Sequence, residues 1–322
     1  MKIVFHGANP ANFRPGFEAM LSGSHEIVMV SDALDGPGER DHFASADVII
    51  GNRLNAADPV PAKLRLFHAP AAGTDGIDAA LLPAGAALCN CFGHEQPIAE
   101  YVMAALLARH VPLADADTRL RTGEWAYWGG RPGTLRTELG DQTIGLLGFG
   151  HIGKAIAARA KAFGMKISVC NRTKVPVGAG VDQSFTLDEM AAFMASADAI
   201  VVSLPMLEST KGIVGAAALG AMRRDAVIVN VGRGPVIDEQ ALYDALSNRR
   251  IGGAIIDTWY VYPSAANGTP QPASLPFNTL PNVVMTPHMS GWTNGTVRRR
   301  QETMAGNIAR LARGEALVNR LV

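Results

Sequence analysis

Cysteine is scarce in this chain, with only Cys89, Cys91 and Cys170 among 322 residues. So odd and sparse a set excludes a disulfide framework and points to a reducing compartment. The Cys89-Asn90-Cys91 pair has no second half, and no metal site is expected. Aromatic residues are few, at 6%. Neither sign of charge is in surplus, with 29 Lys plus Arg against 29 Asp plus Glu, so no global field draws the chain to nucleic acid or an anionic membrane. Long apolar runs are missing too. The opening Met1 to Phe5 has an apolar run of three residues before His6-Gly7, too short for a signal peptide, and nothing later supplies the ~18 residues of a membrane span. A cytoplasmic protein without membrane or nucleic-acid partners is expected.

What the chain has is length enough for about two domains, 34 glycines and alanine-rich stretches. Short β-branched runs recur at Ile3–Phe5, Val48–Ile50, Leu64–Phe67, Ile144–Leu147, Ile167–Cys170, Ala199–Ser203, Val227–Val231, Ile255–Asp257 and Val283–Thr286, with helical segments between them. That alternation predicts α/β architecture with parallel, doubly wound sheets. Ser45-Ala46-Asp47-Val48-Ile49 is echoed by Ser196-Ala197-Asp198-Ala199-Ile200. The echo reads either as two similar α/β domains or as the ordinary taste of helix-to-strand turns for Ser and Asp. Helices are expected from Ile98 to about His110, over Pro112–Arg121 and over Ala305–Arg313, with a domain crossing near Pro97. The run Arg298 to Arg300 reads as a solvated helix face.

From Thr143 a strand leads into Gly148-Phe149-Gly150-His151-Ile152-Gly153 and an alanine-rich helix. In such a Gly-x-Gly-x-x-Gly loop the first glycine makes the tight turn, the second lets backbone N–H groups reach a pyrophosphate, and the third lets helix and strand approach. Eighteen residues after Gly153, where an NAD site usually has an acidic residue, stand Asn171, Arg172, Thr173 and Lys174. No carboxylate is there to repel a 2′-phosphate and two cations are there to hold one, so NADP(H) is the preferred cofactor and NAD(H) a possible one.

Further on, Val229 to Asp238 ends a buried strand with Arg233 between Gly232 and Gly234; Asp257 closes the next strand, and Thr286-Pro287-His288-Met289-Ser290-Gly291 the one after. Carboxyl ends of strands line the ligand crevice of an open α/β sheet, so a cation, a carboxylate and an imidazole are expected to converge there.

With these pieces in place the sequence resembles the D-isomer-specific 2-hydroxyacid dehydrogenase family over nearly its whole length. The resemblance is carried by Ala72-Gly73-Thr74-Asp75-Gly76-Ile77-Asp78, Ile98-Ala99-Glu100, Gly148 to Gly153, Ser203-Leu204-Pro205 with Thr210, Asn230 to Asp238, Asp257 and Pro287-His288. It implies two Rossmann-like domains with an active-site cleft between them: a flavodoxin-like substrate domain of residues 1–97 plus 289–322, and a cofactor domain of residues 98–288. By the same resemblance Arg233 would hold the substrate's carboxylate and 2-oxygen, and His288 would exchange a proton with the carbonyl as hydride transfers. The backbone N–H groups of Ala72 and Gly73 would grip the carboxylate. Asp257 and the Val231 carbonyl would orient the nicotinamide, Ser203, Leu204 and Pro205 would flank the adenine, and Thr210, Ser290 and Gly291 would complete the cofactor side. A homodimer through the cofactor domains is implied as well. His94, Met289, Trp292 and the Trp125 to Trp128 stretch are expected to shape the substrate pocket or pack an interface.

One departure stands out. Where most relatives pair the histidine with a glutamate, five residues past the strand-end aspartate and before a proline, this chain has Tyr262-Pro263. His288 then lacks a carboxylate favouring its charged form, so its pKa is expected to be lower than in glutamate-bearing relatives, while the Tyr262 hydroxyl could still orient the ring. The formate dehydrogenase branch also lacks that glutamate, but here His94 stands where its asparagine would be. A cofactor-sensing corepressor branch of the family is the other alternative.

Overall fold

The computed structural model describes residues 1–178, 180–264 and 268–322. By their internal contacts they form two compact units, unit 1 of Met1–His94 with Trp292–Val322 and unit 2 of Glu95–Gly291. Each crossing is displaced by three residues from the 97/98 and 288/289 expected. At the first, Pro97 lies within the opening turn of a helix starting at Glu95, where a missing N–H breaks no helical bond. In chain order the α-helices are α1 (Ala8–Ala11), α2 (Glu39–Ala44), α3 (Glu95–His110), α4 (Leu113–Arg121), α5 (His151–Ala162), α6 (Met190–Ala195), α7 (Ala216–Ala221), α8 (Glu239–Ser247) and α9 (Asn294–Arg313).

Unit 1 is built on β1 (Lys2–His6), β2 (Glu26–Val30), β3 (Val48–Gly51), β4 (Leu66–His68) and β5 (Ala87–Cys89), parallel and ordered β2-β1-β3-β4-β5. Ile3, Phe5, Val48 and Ile50 pack one face against Met304, Ala305 and Ile308 of α9. Val4, Ile49 and Phe67 pack the other against Phe43 of α2. Apolar side chains on both faces of every central strand are what a doubly wound sheet requires. Chain order reverses between β1 and β3, the usual ligand position in such a sheet. At the carboxyl end of β1, Asp32 accepts the Ala8 amide at 3.0 Å and crowds Gly7.

Unit 2 carries β6 (Thr143–Leu147), β7 (Lys166–Asn171), β8 (Gln183–Thr186), β9 (Ala199–Val202), β10 (Val227–Asn230), β11 (Gly253–Ile256) and β12 (Val283–Met285). All are parallel, in the order β12-β11-β10-β9-β6-β7-β8. This is the dinucleotide-binding order with a seventh strand, and its switch point lies between β6 and β9. Helices α3 and α5 cover one face of the sheet, and α6, α7 and α8 the other.

The repeated Ser-Ala-Asp has the same job in both units. Asp47 accepts the amide of Lys2 at the start of β1, and Asp198 that of Thr143 at the start of β6, each at 2.7 Å. Each aspartate also returns its own amide to the same residue's carbonyl. The motif clamps the first strand of a unit to the neighbour that crosses back beside it. Among the described residues no helix is long and apolar enough to cross a membrane.

Candidate active site

At the switch point of unit 2, β6 runs into Gly148 at φ 98°, and α5 begins at His151 with Gly150 as its N-cap. A side chain at Gly153 would collide with the Gly148 carbonyl, so only glycine allows α5 to start this close to β6. Gly150, by contrast, is exposed and faces open space. Among the described residues no side chain caps α5 and its first turn holds no acid, a helix N-terminus suited to an anion. His151 is exposed beside it, and Ile152 packs against the core beneath. Ser203, after β9, hydrogen-bonds the Leu147 and Gly148 carbonyls at 3.4 and 3.3 Å, tying together the two strands that flank the switch point. Leu204 is buried and Pro205 exposed; Thr210 donates to the Pro205 carbonyl at 2.7 Å and accepts the Leu207 amide at 2.8 Å. Thr210, buried at 7% exposure, shapes the loop from within.

Asn171 ends β7, and Arg172, Thr173 and Lys174 follow it, all exposed. Lys174 pairs with Glu189 at 3.4 Å, while Arg172 makes no ion pair among the described residues. The free guanidinium is the stronger candidate for a phosphate. These residues fit a bound dinucleotide: an uncapped helix start, glycine backbone open to solvent, and a cationic turn at the end of the second strand.

The Arg233 turn is fixed from behind. Asn230, at 2% exposure, donates to the Arg233 carbonyl at 3.1 Å and accepts the Gly232 amide at 3.2 Å. A side chain at Gly234 would collide with the Trp259 carbonyl, so the turn presses against the segment after β11. Val231, at the base of the turn, is buried.

Asp257 follows β11 with no exposure at all. Its Oδ1 accepts the Thr286 hydroxyl at 2.5 Å and the Met289 amide at 2.9 Å, and its Oδ2 accepts the Ser290 amide at 3.0 Å. The carboxylate holds the turn that carries His288 through three donors. The turn needs this support because His288 sits at φ 56°, a left-handed conformation that costs a non-glycine residue ~1–2 kcal/mol. Thr286 gives its proton to Asp257 and so accepts that of Tyr101 at 2.7 Å, while its carbonyl accepts Trp259 Nε1 at 2.8 Å.

Tyr262 stands 3.0 Å from His288 Nδ1 and accepts the Trp259 amide at 3.0 Å. With an amide already donating to the phenol oxygen, its proton is available for Nδ1, which assigns the neutral ring's own proton to Nε2. Removal from water lowers the His288 pKa below the usual 6.5; the Asp257 carboxylate opposes this and the Arg233 guanidinium adds to it. Desolvation is the largest of these causes. Removal from water also raises the Tyr262 pKa, so the phenol stays protonated.

The remaining expected residues lie on unit 1. Ala72 and Gly73 are half-buried in the loop after β4, and His94 ends the first segment of the unit. Trp292 is 44% exposed and packs edge-on against Phe13, ring centres 5.6 Å apart. On unit 2, Ser290 is buried, Gly291 is half-buried and Met289 is exposed. Arg300 corrects the reading of the arginine run as solvated, being 9% exposed with Nη1 on the Pro70 carbonyl at 3.0 Å. Sequence reasoning missed Asn230, Tyr101 and Thr286 as site residues. Asn230 could have been found as the one polar residue in a buried apolar strand; Tyr101 reaches Thr286 across 185 positions, which no local pattern reveals.

Residues 103–290 match the family model described as the D-isomer specific 2-hydroxyacid dehydrogenase, NAD binding domain. The chain is 32% identical over 264 residues to a D-3-phosphoglycerate dehydrogenase of Methanocaldococcus jannaschii, covering 80% of this chain but only 47% of that longer protein. It is 32% identical over 266 residues to glyoxylate/hydroxypyruvate reductase B of Citrobacter koseri, covering 79% and 78% of the two chains. Among solved structures, an acyclic imino acid reductase in complex with NADPH and D-Arg superposes with a TM-score of 0.78 at 27% identity, with both chains covered completely. With the glycine loop, the Arg233 turn and the Asp257–His288 pair all inside the matched region, the chain belongs to the D-isomer specific 2-hydroxyacid dehydrogenase family of nicotinamide-dependent oxidoreductases.

Proposed function

We propose that this protein is an NADP(H)-preferring reductase of small 2-oxo acids, forming the D-2-hydroxy acid. The observation that carries this reading is His288, fixed by Tyr262 and the Asp257-bound turn, within electrostatic reach of Arg233 on the same end of one sheet. The chemistry a bound nicotinamide would supply is hydride transfer. Its pyrophosphate would lie on the amides at Gly150 to Ile152, with the 2′-phosphate on Arg172 and, less firmly, Thr173 and Lys174. Arg233 orients the carboxylate and 2-oxygen through its donor fork. Protonated His288 donates from Nε2 to the carbonyl oxygen, Nδ1 resting on Tyr262, so that hydride and proton together convert C=O to CH–OH. Ala72, Gly73, His94 and Trp292 of unit 1 are proposed as substrate-binding residues. A homodimer is proposed through unit 2, where α4 buries none of its residues and Trp125, Trp128 and Leu135 are exposed.

The test is oxidation of NADPH and NADH, followed optically, with glyoxylate, hydroxypyruvate, pyruvate and bulkier 2-oxo acids. Consumption of NADPH in preference to NADH with one of them is the expected result; failure with all of them defeats the reading. A second reading is favoured by Tyr262 standing in place of a carboxylate. A protonated imine takes hydride without a proton at that step, so a histidine held neutral suffices. Turnover that requires an amine alongside the 2-oxo acid would select the imine.

A further inference from the structure

Trp259 reaches three segments of the site at once. Its backbone carbonyl abuts the Arg233 turn, where a Cβ on Gly234 would strike it. Its backbone amide donates to the Tyr262 hydroxyl at 3.0 Å, and its indole Nε1 donates to the Thr286 carbonyl at 2.8 Å. Thr286 stands two residues before His288, and its other polar groups are held as well. Its amide donates to the Ile256 carbonyl at 3.0 Å, while its hydroxyl donates to Asp257 at 2.5 Å and accepts from Tyr101 at 2.7 Å.

The side chain that makes the last of these contacts is itself fixed. Trp259 is 4% exposed, within the core of unit 2, its ring edge-on to Phe277 with centres 6.2 Å apart. Trp125, Trp128 and Trp292 are all exposed, so this is the one buried tryptophan of four. A buried indole N–H needs an acceptor, and packing alone would be satisfied by any. Here the acceptor is the carbonyl that leads through Pro287 into the left-handed His288, while the backbone of the same residue abuts the segments carrying Arg233 and Tyr262. A shift of Trp259 therefore moves all three.

We infer that Trp259 is a positioning residue that sets the place of the His288 ring relative to Arg233 and Tyr262. Catalytic geometry tolerates little displacement, ~1 Å costing about a hundredfold in rate, so three segments held by one rigid buried residue share one frame. Within unit 2 the Asp257 carboxylate, the Arg233 guanidinium and the Tyr262 phenol face His288. Burial acts on the ring more than any of them and disfavours its charged form. Loosening the turn admits water, and the His288 pKa then rises toward 6.5. That His288 gives its proton to a 2-oxo acid rests on the proposed function; the placement of its ring does not.

The test follows the imidazole directly. Trp259→Phe keeps most of the packing and removes the indole N–H. The ring-proton NMR signals of His288, identified by their loss in His288→Gln, are titrated against pH in the whole chain, and in Trp259→Phe their midpoint lies at higher pH than in the wild type. Reduction of a 2-oxo acid by the same variant shows kcat lowered about tenfold, the size of one hydrogen bond, with the NADPH Kd little changed. Phe277→Leu is the control for lost packing: it lowers the urea midpoint of unfolding and leaves the His288 titration in place. In the wild type the one slowly exchanging indole N–H signal, that of Trp259, moves with the same midpoint as the His288 ring. The inference is overturned if Trp259→Phe titrates and turns over as the wild type does, if Phe277→Leu shifts the His288 midpoint equally, or if the wild-type indole signal stays flat through the His288 titration. That last measurement decides alone where the phenylalanine variant does not fold. A wild-type chain that reduces no 2-oxo acid defeats the proposed function instead, and the two titrations still decide the role of Trp259.

Discussion

The Tyr262 hydroxyl lies 3.0 Å from His288 Nδ1 while accepting the Trp259 amide at the same distance. A phenol so placed fixes the ring without adding a negative charge, whereas a carboxylate there would favour the imidazolium. Tyr262→Phe removes the orienting bond and is expected to lower kcat by about tenfold to a hundredfold, with NADPH affinity unchanged. Tyr262→Glu raises the His288 pKa, so the falling limb of the reduction rate against pH moves to higher pH. A limb that stays in place in the glutamate variant sinks the assignment of that limb to His288.

Asp257 acts through the turn it holds. Asparagine in its place can accept from Thr286 and Met289 but then turns its NH2 group toward the Ser290 amide. Asp257→Asn is expected to cost about 1–3 kcal/mol of stability and to reduce kcat/KM well beyond what the lost stability explains, since His288 no longer keeps its left-handed backbone. Denaturant midpoints and turnover measured side by side separate the two effects.

The proposed preference for NADP(H) would rest on Arg172 more than on Lys174, because Lys174 is paired with Glu189. Arg172→Ala should raise the KM for NADPH about tenfold, one charge-assisted contact's worth, while the KM for NADH stays near its starting value. Lys174→Ala should do markedly less. Equal losses for both cofactors would contradict a role in binding the 2′-phosphate.

His68 makes the stability of the protein sensitive to acid. It is fully buried, with Nδ1 on the Ala69 carbonyl at 3.2 Å and Nε2 facing the Asn307 amide at 3.0 Å, and burial depresses its pKa from 6.5 to about 4. The folded state thus binds this proton less readily than the unfolded state. Its contribution is complete above about pH 6.5, is lost as the pH falls toward 4, and amounts to roughly 3 kcal/mol across that window. Urea unfolding at a series of pH values should reveal the slope, and His68→Gln should flatten it.

Legibility in the sequence followed burial. Central strands such as β3, β6, β9 and β10 are buried along their whole length or nearly so, and were readable as β-branched runs. The strands left unseen were β2, β5 and β8. Edge strands β2 and β8 are largely solvated, so polar residues break their apolar run, and β5 is short and opens on alanine, a weak strand former. In the site, Arg233, Asp257 and His288 could be named because strand ends announce themselves. The task of Asp257 could not, since it depends on amides 32 and 33 positions away. Nor could the left-handed backbone of His288, because nothing in a histidine's identity predicts a positive φ.

Unit 1 is assembled from both ends of the described chain, with unit 2 continuous between them. The segment that seals it is the last: α9 covers one face of the sheet, and Leu321 donates to the Leu88 carbonyl at 2.8 Å along the outer edge of β5. A ribosome therefore releases every element of unit 2 before unit 1 can close. Until then β5 emerges with a bare edge, a template for pairing with other nascent chains. Birth of this protein is thus a race in which the first-made strands wait longest for their cover.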